Sequence, residues 1–205
     1  GVAMTTGIRN TLIGGFAGDA ITTGSENTTL GFLSGSKVTT GGKNVAIGGE
    51  ALAENLLGSR NVAVGQEALK AFVSAGSDNN YNTAVGYAAG AAMTTGVNNT
   101  LIGGHAGDAM QDDNQNTAVG ARAMSTLQAD DCVAVGYAAM DAATTSARTT
   151  AVGRSAMGAG VVTGNDNTAI GNKSQLNVTS GEFNTSLGSL SMGVGATTGN
   201  YNKTV

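Results

Sequence analysis

The residues in this sequence whose side chains are best suited to catalysis or metal binding are one histidine and one cysteine. His105 occupies a slot that other copies of a repeat fill with Phe16, Glu50 or Lys173, and no Cys, Asp or Glu cluster with metal-ligand spacing surrounds it. Cys132 is the only cysteine, which excludes a disulfide framework and a thiolate metal cluster. We expect His105 to be an exposed turn residue and Cys132 to be a small buried side chain.

Paired acids and glycine-rich stretches are the remaining chemical candidates. Asp112-Asp113 and Asp130-Asp131 offer oxygen ligands for a surface cation, but a solvated turn accounts for them better. The stretches 14–19 and 103–108 resemble a calcium-binding nonapeptide, with a spacing that is off by one residue. No P-loop, complete dinucleotide fingerprint or Gly-x-Ser-x-Gly elbow occurs. The sequence therefore predicts no catalytic residue, no metal site and no cofactor, and hence no enzyme.

A five-residue phrase that recurs along the whole chain has to position any functional residue. It reads Asn-Thr-Ala-Val-Gly at 82–86, and ten similar copies accompany it. Their final glycines are Gly14, Gly31, Gly48, Gly65, Gly86, Gly103, Gly120, Gly136, Gly153, Gly171 and Gly188. Nine copies begin with asparagine, namely Asn10, Asn27, Asn44, Asn61, Asn82, Asn99, Asn116, Asn167 and Asn184. The spacing is 16 to 18 residues with one interval of 21, which predicts a repeat architecture.

Each phrase predicts one short β-strand. Val, Ile and Thr favour the extended chain, and the Thr/Val and Val/Ile/Leu slots lie two residues apart, so they share a face. The slot between them is usually Ala and points the other way, where another part of the molecule must approach closely. A further slot, three residues after the glycine, is always Ala or Ser, and we assign it to a second short strand. The rest of each repeat is rich in turn-forming residues, and no stretch has a helical period.

These features predict an all-β fold, a parallel β-solenoid of about 11–12 coils that forms a single repeat domain over residues 1–205. The chain begins and ends within a repeat, so we interpret it as a segment of a longer fibre. Stacked coils would bring the phrase asparagines into a ladder of side-chain amides. Cys132 and Thr149 interrupt that ladder in adjacent copies, and we predict a local weak point there.

The longest repeat carries four extra residues around 76–81. Stacked coils tolerate a longer surface loop at little entropic cost. We expect an exposed loop there, with Ser77, Asp78, Asn79, Asn80 and Tyr81 as candidate contact residues on the flank of the fibre.

The apolar content of one coil predicts three chains rather than one. A three-sided single-chain helix would place an aliphatic residue every six positions, but the positions that follow Ile13 at this interval are Asp19 and Ser25. One strongly apolar strand per coil would bury only a few small side chains, a thin core for the cost of ordering about 17 residues. We therefore predict a homotrimer with a shared interior.

Charge and composition exclude several other classes of partner. The net charge is −4 with no basic patch, so we expect neither nucleic acid nor an anionic membrane as a partner. No apolar run approaches the roughly 20 residues of a membrane helix, so no membrane insertion is expected. Charged residues make up only 12%, which argues against a solvated disordered chain.

The phrase followed by Gly-x-x-Ala resembles the head repeat of trimeric autotransporter adhesins. It resembles still more closely the repeats of phage tail fibres and of the tail-fibre-like proteins of predatory bacteria, and the resemblance covers essentially the whole chain. It implies a trimeric, left-handed parallel β-roll that serves as an adhesive head or a fibre shaft. The adhesin-head repeat is usually shorter than the one in this chain, so the details of its ligand binding do not carry over.

The expected function is that of a structural and adhesive segment of a trimeric phage tail fibre or bacterial surface adhesin, located outside the cell. Its expected partners are two further copies and a host-cell receptor, glycan or protein, contacted through an unseen tip or through the loops on the flank. The alternative is a monomeric β-solenoid that binds glycan or ice. Thr5-Thr6, Thr22-Thr23 and Thr39-Thr40 align on successive coils as an ice-binding face would require, but Leu56-Leu57 interrupts the column.

Overall fold

Twelve short strands stack into one parallel sheet in the computed structural model, which describes residues 3–74, 76, 79–193 and 198–205. The strands follow one another in chain order, and those residues contain no helix. The strands are β1 (Thr11–Ile13), β2 (Thr28–Leu30), β3 (Val45–Ile47), β4 (Val62–Val64), β5 (Thr83–Val85), β6 (Thr100–Ile102), β7 (Thr117–Val119), β8 (Val133–Val135), β9 (Thr150–Val152), β10 (Thr168–Ile170), β11 (Thr185–Leu187) and β12 (Lys203–Thr204). The predicted all-β solenoid with one coil per repeat is confirmed.

The register of the sheet places equivalent residues of successive repeats side by side. Ala84 of β5 pairs with Leu101 of β6, and Val85 pairs with Ile102. The register also survives the longest repeat, because Ala63 of β4 pairs with Ala84 of β5. The longest repeat therefore does not interrupt the sheet.

Hydrogen bonds between coils continue beyond the strands. The Gly18 amide donates to the Ser34 carbonyl at 2.9 Å, and the Thr22 amide donates to the Thr39 carbonyl at 3.0 Å. Both bonds connect positions 16 or 17 residues apart, so turns stack on turns as strands stack on strands. Most of the backbone of a coil is therefore satisfied by its two neighbours.

The second strand predicted after the phrase glycine is wrong, because this stretch is a series of turns. The Ala17 amide donates back to the Gly14 carbonyl, and the residues on either side of Ala17 have left-handed backbones, with φ of 58° at Phe16 and 54° at Gly18. Alternating left-handed residues are incompatible with an extended chain. The tight layer expected at this slot is nevertheless present, since Ala17, Ala51 and the equivalent residues up to Ser174 are buried.

Each coil encloses a filled apolar interior. The middle residue of each strand points into it, as Ala84 does, and so does the Ala or Ser three residues after the glycine. Two further columns supply bulk, one four residues after the glycine, with Leu69 and Met124, and one about seven residues after it, with Phe72 and Met93. The four large side chains named in these columns are fully buried.

The prediction that one chain buries too little is therefore wrong. The test for an aliphatic residue every six positions missed the column that begins at Ile21, because this residue lies eight positions after Ile13. The unequal lengths of the turns displace the apolar residues from a six-residue grid. What a single chain leaves uncovered is the outer face of its strands.

Candidate functional surface on the outer face of the strands

A continuous aliphatic column runs along the outer face of the sheet. The third residue of every strand from β1 to β11 points away from the interior and is Ile, Val or Leu. Ile13 is 56% exposed and Leu187 is 49% exposed, while the valines between them are half-buried by their neighbours in the stack. The column consists of Ile13, Leu30, Ile47, Val64, Val85, Ile102, Val119, Val135, Val152, Ile170 and Leu187.

Threonine dominates the other outward slot of the same face. The first residue of the strand is Thr in eight of the strands β1 to β11 and Val in the remaining three, β3, β4 and β8. Its side chain lies on the same side as the aliphatic column because the two slots are two residues apart. The outer face is therefore a regular strip dominated by β-branched side chains.

Aromatic side chains flank this strip. Of the eight aromatic residues in the chain only Phe72 is buried, and the other seven are exposed. They stand just before or just after the strands, and several pack against an aromatic ring of a neighbouring coil. Tyr87 meets His105 edge to face with centroids 5.1 Å apart, and Phe183 stacks on Tyr201 at the same separation. Exposed aromatic side chains are typical of binding surfaces.

The phrase asparagines form the predicted amide ladder on the inner side of the coil. The Asn99 Oδ1 accepts the Asn116 amide at 2.9 Å, and its Nδ2 donates to the Asp113 carbonyl at 2.8 Å. Equivalent bonds recur in most coils, and the asparagines from Asn27 to Asn184 are buried. The ladder connects the start of most strands to the turn that precedes the next strand.

The ladder changes chemistry where asparagine is replaced. Cys132 Sγ lies 2.9 Å from the Ser146 carbonyl, and Ser146 Oγ hydrogen-bonds to Thr149 Oγ1 at the same distance. The next contact is long, because the Asn167 amide is 3.5 Å from Thr149 Oγ1. These substitutes keep the buried groups partnered, and the weak point expected here stays a prediction about stability.

A second ladder, which the sequence analysis missed, runs two residues before the phrase asparagines. The Ser59 Oγ accepts the Gly42 amide at 3.1 Å, and the Asn114 Oδ1 accepts the Val97 amide at 2.9 Å. The signal that could have revealed it is the recurrence of Ser, Asn or Asp at this slot. Its acceptors are Ser25, Ser59, Asn114, Asp130, Asn165 and Asn200.

His105 is an exposed turn residue, as expected, and it has a partner. Its Nδ1 lies 2.9 Å from the Asp108 carboxylate, beside a hollow of about 370 Å³ that Arg122 and Ser125 also line. Arg122 pairs with Asp141 in the next coil at 3.0 Å. Within the described ranges no group of three His, Cys, Asp or Glu side chains has the arrangement of a metal site.

Asp113, Asp130 and Cys132 lie in surroundings that support a structural role. The Asp113 carboxylate accepts the Gln111 amide at 3.0 Å, and burial raises the pKa of Asp113 above its usual range. The Asp130 carboxylate belongs to the second ladder and accepts the Asn114 amide. Cys132 is buried, which raises the pKa of its thiol to about 11 and keeps it protonated.

The candidate contact loop is only partly exposed. Asn79 and Tyr81 are exposed, but Asn80 is 3% exposed, and its Nδ2 donates to Ser74 Oγ at 3.3 Å. The expectation was therefore wrong for Asn80, which anchors the insertion to the coil. Ser77 and Asp78 lie outside the described residues.

An open hollow of about 310 Å³ lies beside this insertion, on the turn side of the coils. Its walls are polar and span successive coils. They include Thr23, Thr40, Lys43, Ser59, Arg60 and Asn79. Two hollows therefore lie near residues that the sequence analysis singled out, one beside His105 and one beside the insertion.

Among the described residues, no helix is long and apolar enough to span a membrane. Comparison of the chain with protein-family models, with curated proteins and with solved structures found no match.

Proposed function

We propose that this chain is a segment of an extracellular, homotrimeric attachment fibre, the shaft or head of a phage tail fibre or of a bacterial surface adhesin. The observation that carries the proposal is the unbroken aliphatic column on the outer face of the strands. In a single chain this column faces water, which is costly for aliphatic side chains. Packing three such faces around a common axis removes them from water.

The dimensions of the strip agree with a role in association. Ten steps between the eleven strands that carry the column, at about 4.8 Å each, give a strip roughly 48 Å tall. With a width of about 10 Å it covers roughly 500 Å², as much as the largest apolar patches on monomeric proteins, which are often functional. The flanking aromatic residues enlarge this surface with side chains that interfaces favour.

The stacked coils suit a shaft that has to transmit position over a distance. Each coil is bonded to the next through strands and turns, and most coils also through a side-chain ladder, so the chain is a rod with little conformational freedom along its axis. Receptor recognition is then a property of the flanks or of a tip, while the stacked coils hold these surfaces at a fixed position along the axis of the fibre. The sequence contains no catalytic motif, which agrees with a shaft that only holds binding surfaces in place.

Light scattering of the purified chain tests the trimer. One chain has a mass of 20.1 kDa, so we expect about 60 kDa at micromolar concentration. Ile102→Asp places a charge on the outer face and should convert the trimer to folded monomers. Leu56→Asp is the matched control, because Leu56 is 41% exposed on the turn side and Ile102 is 39% exposed on the outer face. A wild-type mass equal to that of one chain would overturn the trimer.

Binding of the labelled trimer to a panel of bacterial surfaces tests attachment. We expect saturable binding to some members of the panel, with competition by unlabelled protein. A trimer that binds none of them, and that shows no binding to a glycan array, would contradict the adhesive role and leave a purely structural shaft.

A second candidate is a monomeric β-solenoid that binds ice or glycan through the same face. The observation that favours it is the regular array of Thr and aliphatic side chains, spaced about 4.8 Å between strands and about 7 Å along them. Thermal hysteresis in a preparation that light scattering shows to be monomeric would support this candidate against the trimeric fibre.

A further inference from the structure

The second ladder is interrupted in several coils, for example at Val97 and Ala147, and the interruption at Gly42 lies beside the insertion. In the coil before it, Ser25 Oγ accepts the Ile8 amide, and in the coil after it, Ser59 Oγ accepts the Gly42 amide. Gly42 itself has no side chain to accept the Ser25 amide, and none of the described residues provides another acceptor. The Ser25 N–H is therefore a free donor in the wall of the hollow.

Gly42 also creates the space over this donor. A Cβ built at Gly42 would lie 2.9 Å from the Ser25 carbonyl oxygen and 3.6 Å from the Ser25 nitrogen. A side chain at this position would thus press against the Ser25 peptide. With glycine there, an acceptor from a ligand can approach the N–H that Ser25 presents.

Among the described residues that line the hollow, two carry a positive charge and one a negative charge. Lys43 and Arg60 occupy equivalent slots in successive coils, so two like charges stand about one strand spacing apart. Glu26 also lines the hollow, but Arg9 pairs with it. Lys43 is exposed and has no ion pair within the described ranges.

Arg60 is held in place at one side of the hollow. Its guanidinium donates to the Tyr81 hydroxyl at 2.5 Å and lies 5.5 Å from the centre of the Tyr81 ring. The remaining walls present hydroxyls and an amide, from Thr23, Thr40 and Asn79. A volume of about 310 Å³ is at the lower end of the range of roughly 300–1,000 Å³ for small-molecule sites.

We propose that this hollow binds an acidic saccharide. The carboxylate lies between the Lys43 ammonium and the Ser25 N–H, with Arg60 adding to the positive field, since charge-assisted bonds to a carboxylate are the strongest available here. The hydroxyls of the sugar meet Thr40 and Asn79, whose groups both donate and accept. The inference rests on the attachment function proposed above and names the chemical class of one receptor.

Calorimetry with a trisaccharide of galacturonic acid tests the proposal on the intact chain. The methyl ester of the same trisaccharide is the control for charge, and acetate is the control for a carboxylate without a sugar. We expect the acid to bind at least tenfold more tightly than the ester and more tightly than acetate. Equal binding of acid and ester, or of acid and acetate, would overturn the proposal.

Two variants of equal net charge locate the site. Lys43→Gln should weaken binding of the acid at least tenfold, whereas Lys173→Gln, which removes a lysine far along the stack, should change it less than twofold. Circular dichroism establishes that both fold. If Lys43→Gln binds like the wild type, the site is not this hollow. Light scattering separates the two proposals, because a chain that stays trimeric and binds cells without binding the acid contradicts only the saccharide site.

Discussion

The amide of Asn99 lies between two coils and has no access to water. Its oxygen accepts from the coil that follows, and its nitrogen donates to the turn that precedes that coil's strand. A buried amide with these partners stabilises a unique register, because any shift of one residue leaves several polar groups without partners. The same argument applies to the asparagine of nearly every coil.

Asn99→Ala should therefore destabilise the chain by about 2–4 kcal/mol, because the Asn116 amide and the Asp113 carbonyl would both stay buried without their partner. Urea denaturation followed by circular dichroism measures the change. Asn172→Ala is the matched control at an exposed position and should stay within about 0.5 kcal/mol of the wild type. Equal losses in both variants would show that the ladder contributes nothing specific.

Cys132 should make stability depend on pH in the alkaline range. Burial raises the pKa of the folded thiol from an ordinary value of 9.0 to about 11. Between these values the unfolded chain loses the thiol proton and the folded chain keeps it, so stability falls as pH rises. The contribution is fully present below about pH 9 and decreases by about 2–3 kcal/mol by about pH 11.

Unfolding in urea at about pH 8 and about pH 10.5 measures this effect, with Cys132→Ala as the comparison. Effects of alkali on other groups occur in both proteins and cancel in the difference. We expect the wild type to lose more stability than the variant between the two pH values. The same loss in both would show that the thiol does not couple folding to protons.

The phrase glycines, which directly follow the strands, are positions that exclude a side chain. Gly86 has φ of 136°, and a Cβ there would lie 2.6 Å from the carbonyl carbon of Gly103 in the next coil. Both the backbone angle and the contact exclude a side chain, because the neighbour is backbone and cannot turn away. The close approach of these glycines sets the distance between equivalent corners of successive coils.

Gly86→Ala should cost at least about 3 kcal/mol or prevent folding altogether. Gly160→Ala is the control, because Gly160 also has positive φ, 83°, but a Cβ added there would have nothing within 4 Å, so only about 1 kcal/mol of backbone strain is expected. Thermal unfolding of the two variants measures the difference. A similar melting temperature in both would show that the corners can move apart.

Local sequence patterns predicted the strands and the asparagine ladder, because period-2 alternation and a fixed repeat length determine both. They failed for the stretch after Gly14, because residues with a left-handed backbone, such as Phe16, cannot be recognised from their residue type. For the same reason the column that begins at Ile21 was missed. Side chains with left-handed backbones point in directions that neither a strand nor a helix period describes.

The candidate surface was predicted only in part. The pairing of alternate residues on one face followed from the phrase, but a thin core was expected where Leu69 and Met93 fill the interior. The hollow at Gly42 depends on the absence of one side chain within a ladder, and such a ladder becomes visible only when coils are aligned in space. Asn80 was expected at the surface because a loop insertion gives no sign of which residue anchors it.

The whole molecule is a one-dimensional stack, in which each strand contacts only the strand before it and the strand after it. Stability in such a stack is a sum of coil and interface terms. Removal of one complete coil, residues 87–103, should leave a folded solenoid with a melting temperature within a few degrees of the wild type, because the new neighbours have equivalent faces.

Removal of only residues 87–94 is the control for this prediction. It cuts a coil in half, breaks the register of every ladder at that point and should prevent cooperative folding of the whole chain. Circular dichroism and melting curves distinguish the two deletions. Equal disruption by both would mean that coils are not interchangeable units.

The direction of the bonds between coils has a consequence for the molecule under tension. These bonds run along the axis of the stack, so a pull along that axis loads them one after another. The coils therefore unfold one at a time. Each coil that opens releases roughly 50 Å of slack, since about 17 extended residues replace one strand spacing. The chain would therefore lengthen in steps under load, and the coil where Cys132 and Thr149 replace asparagine should open at a lower force than its neighbours.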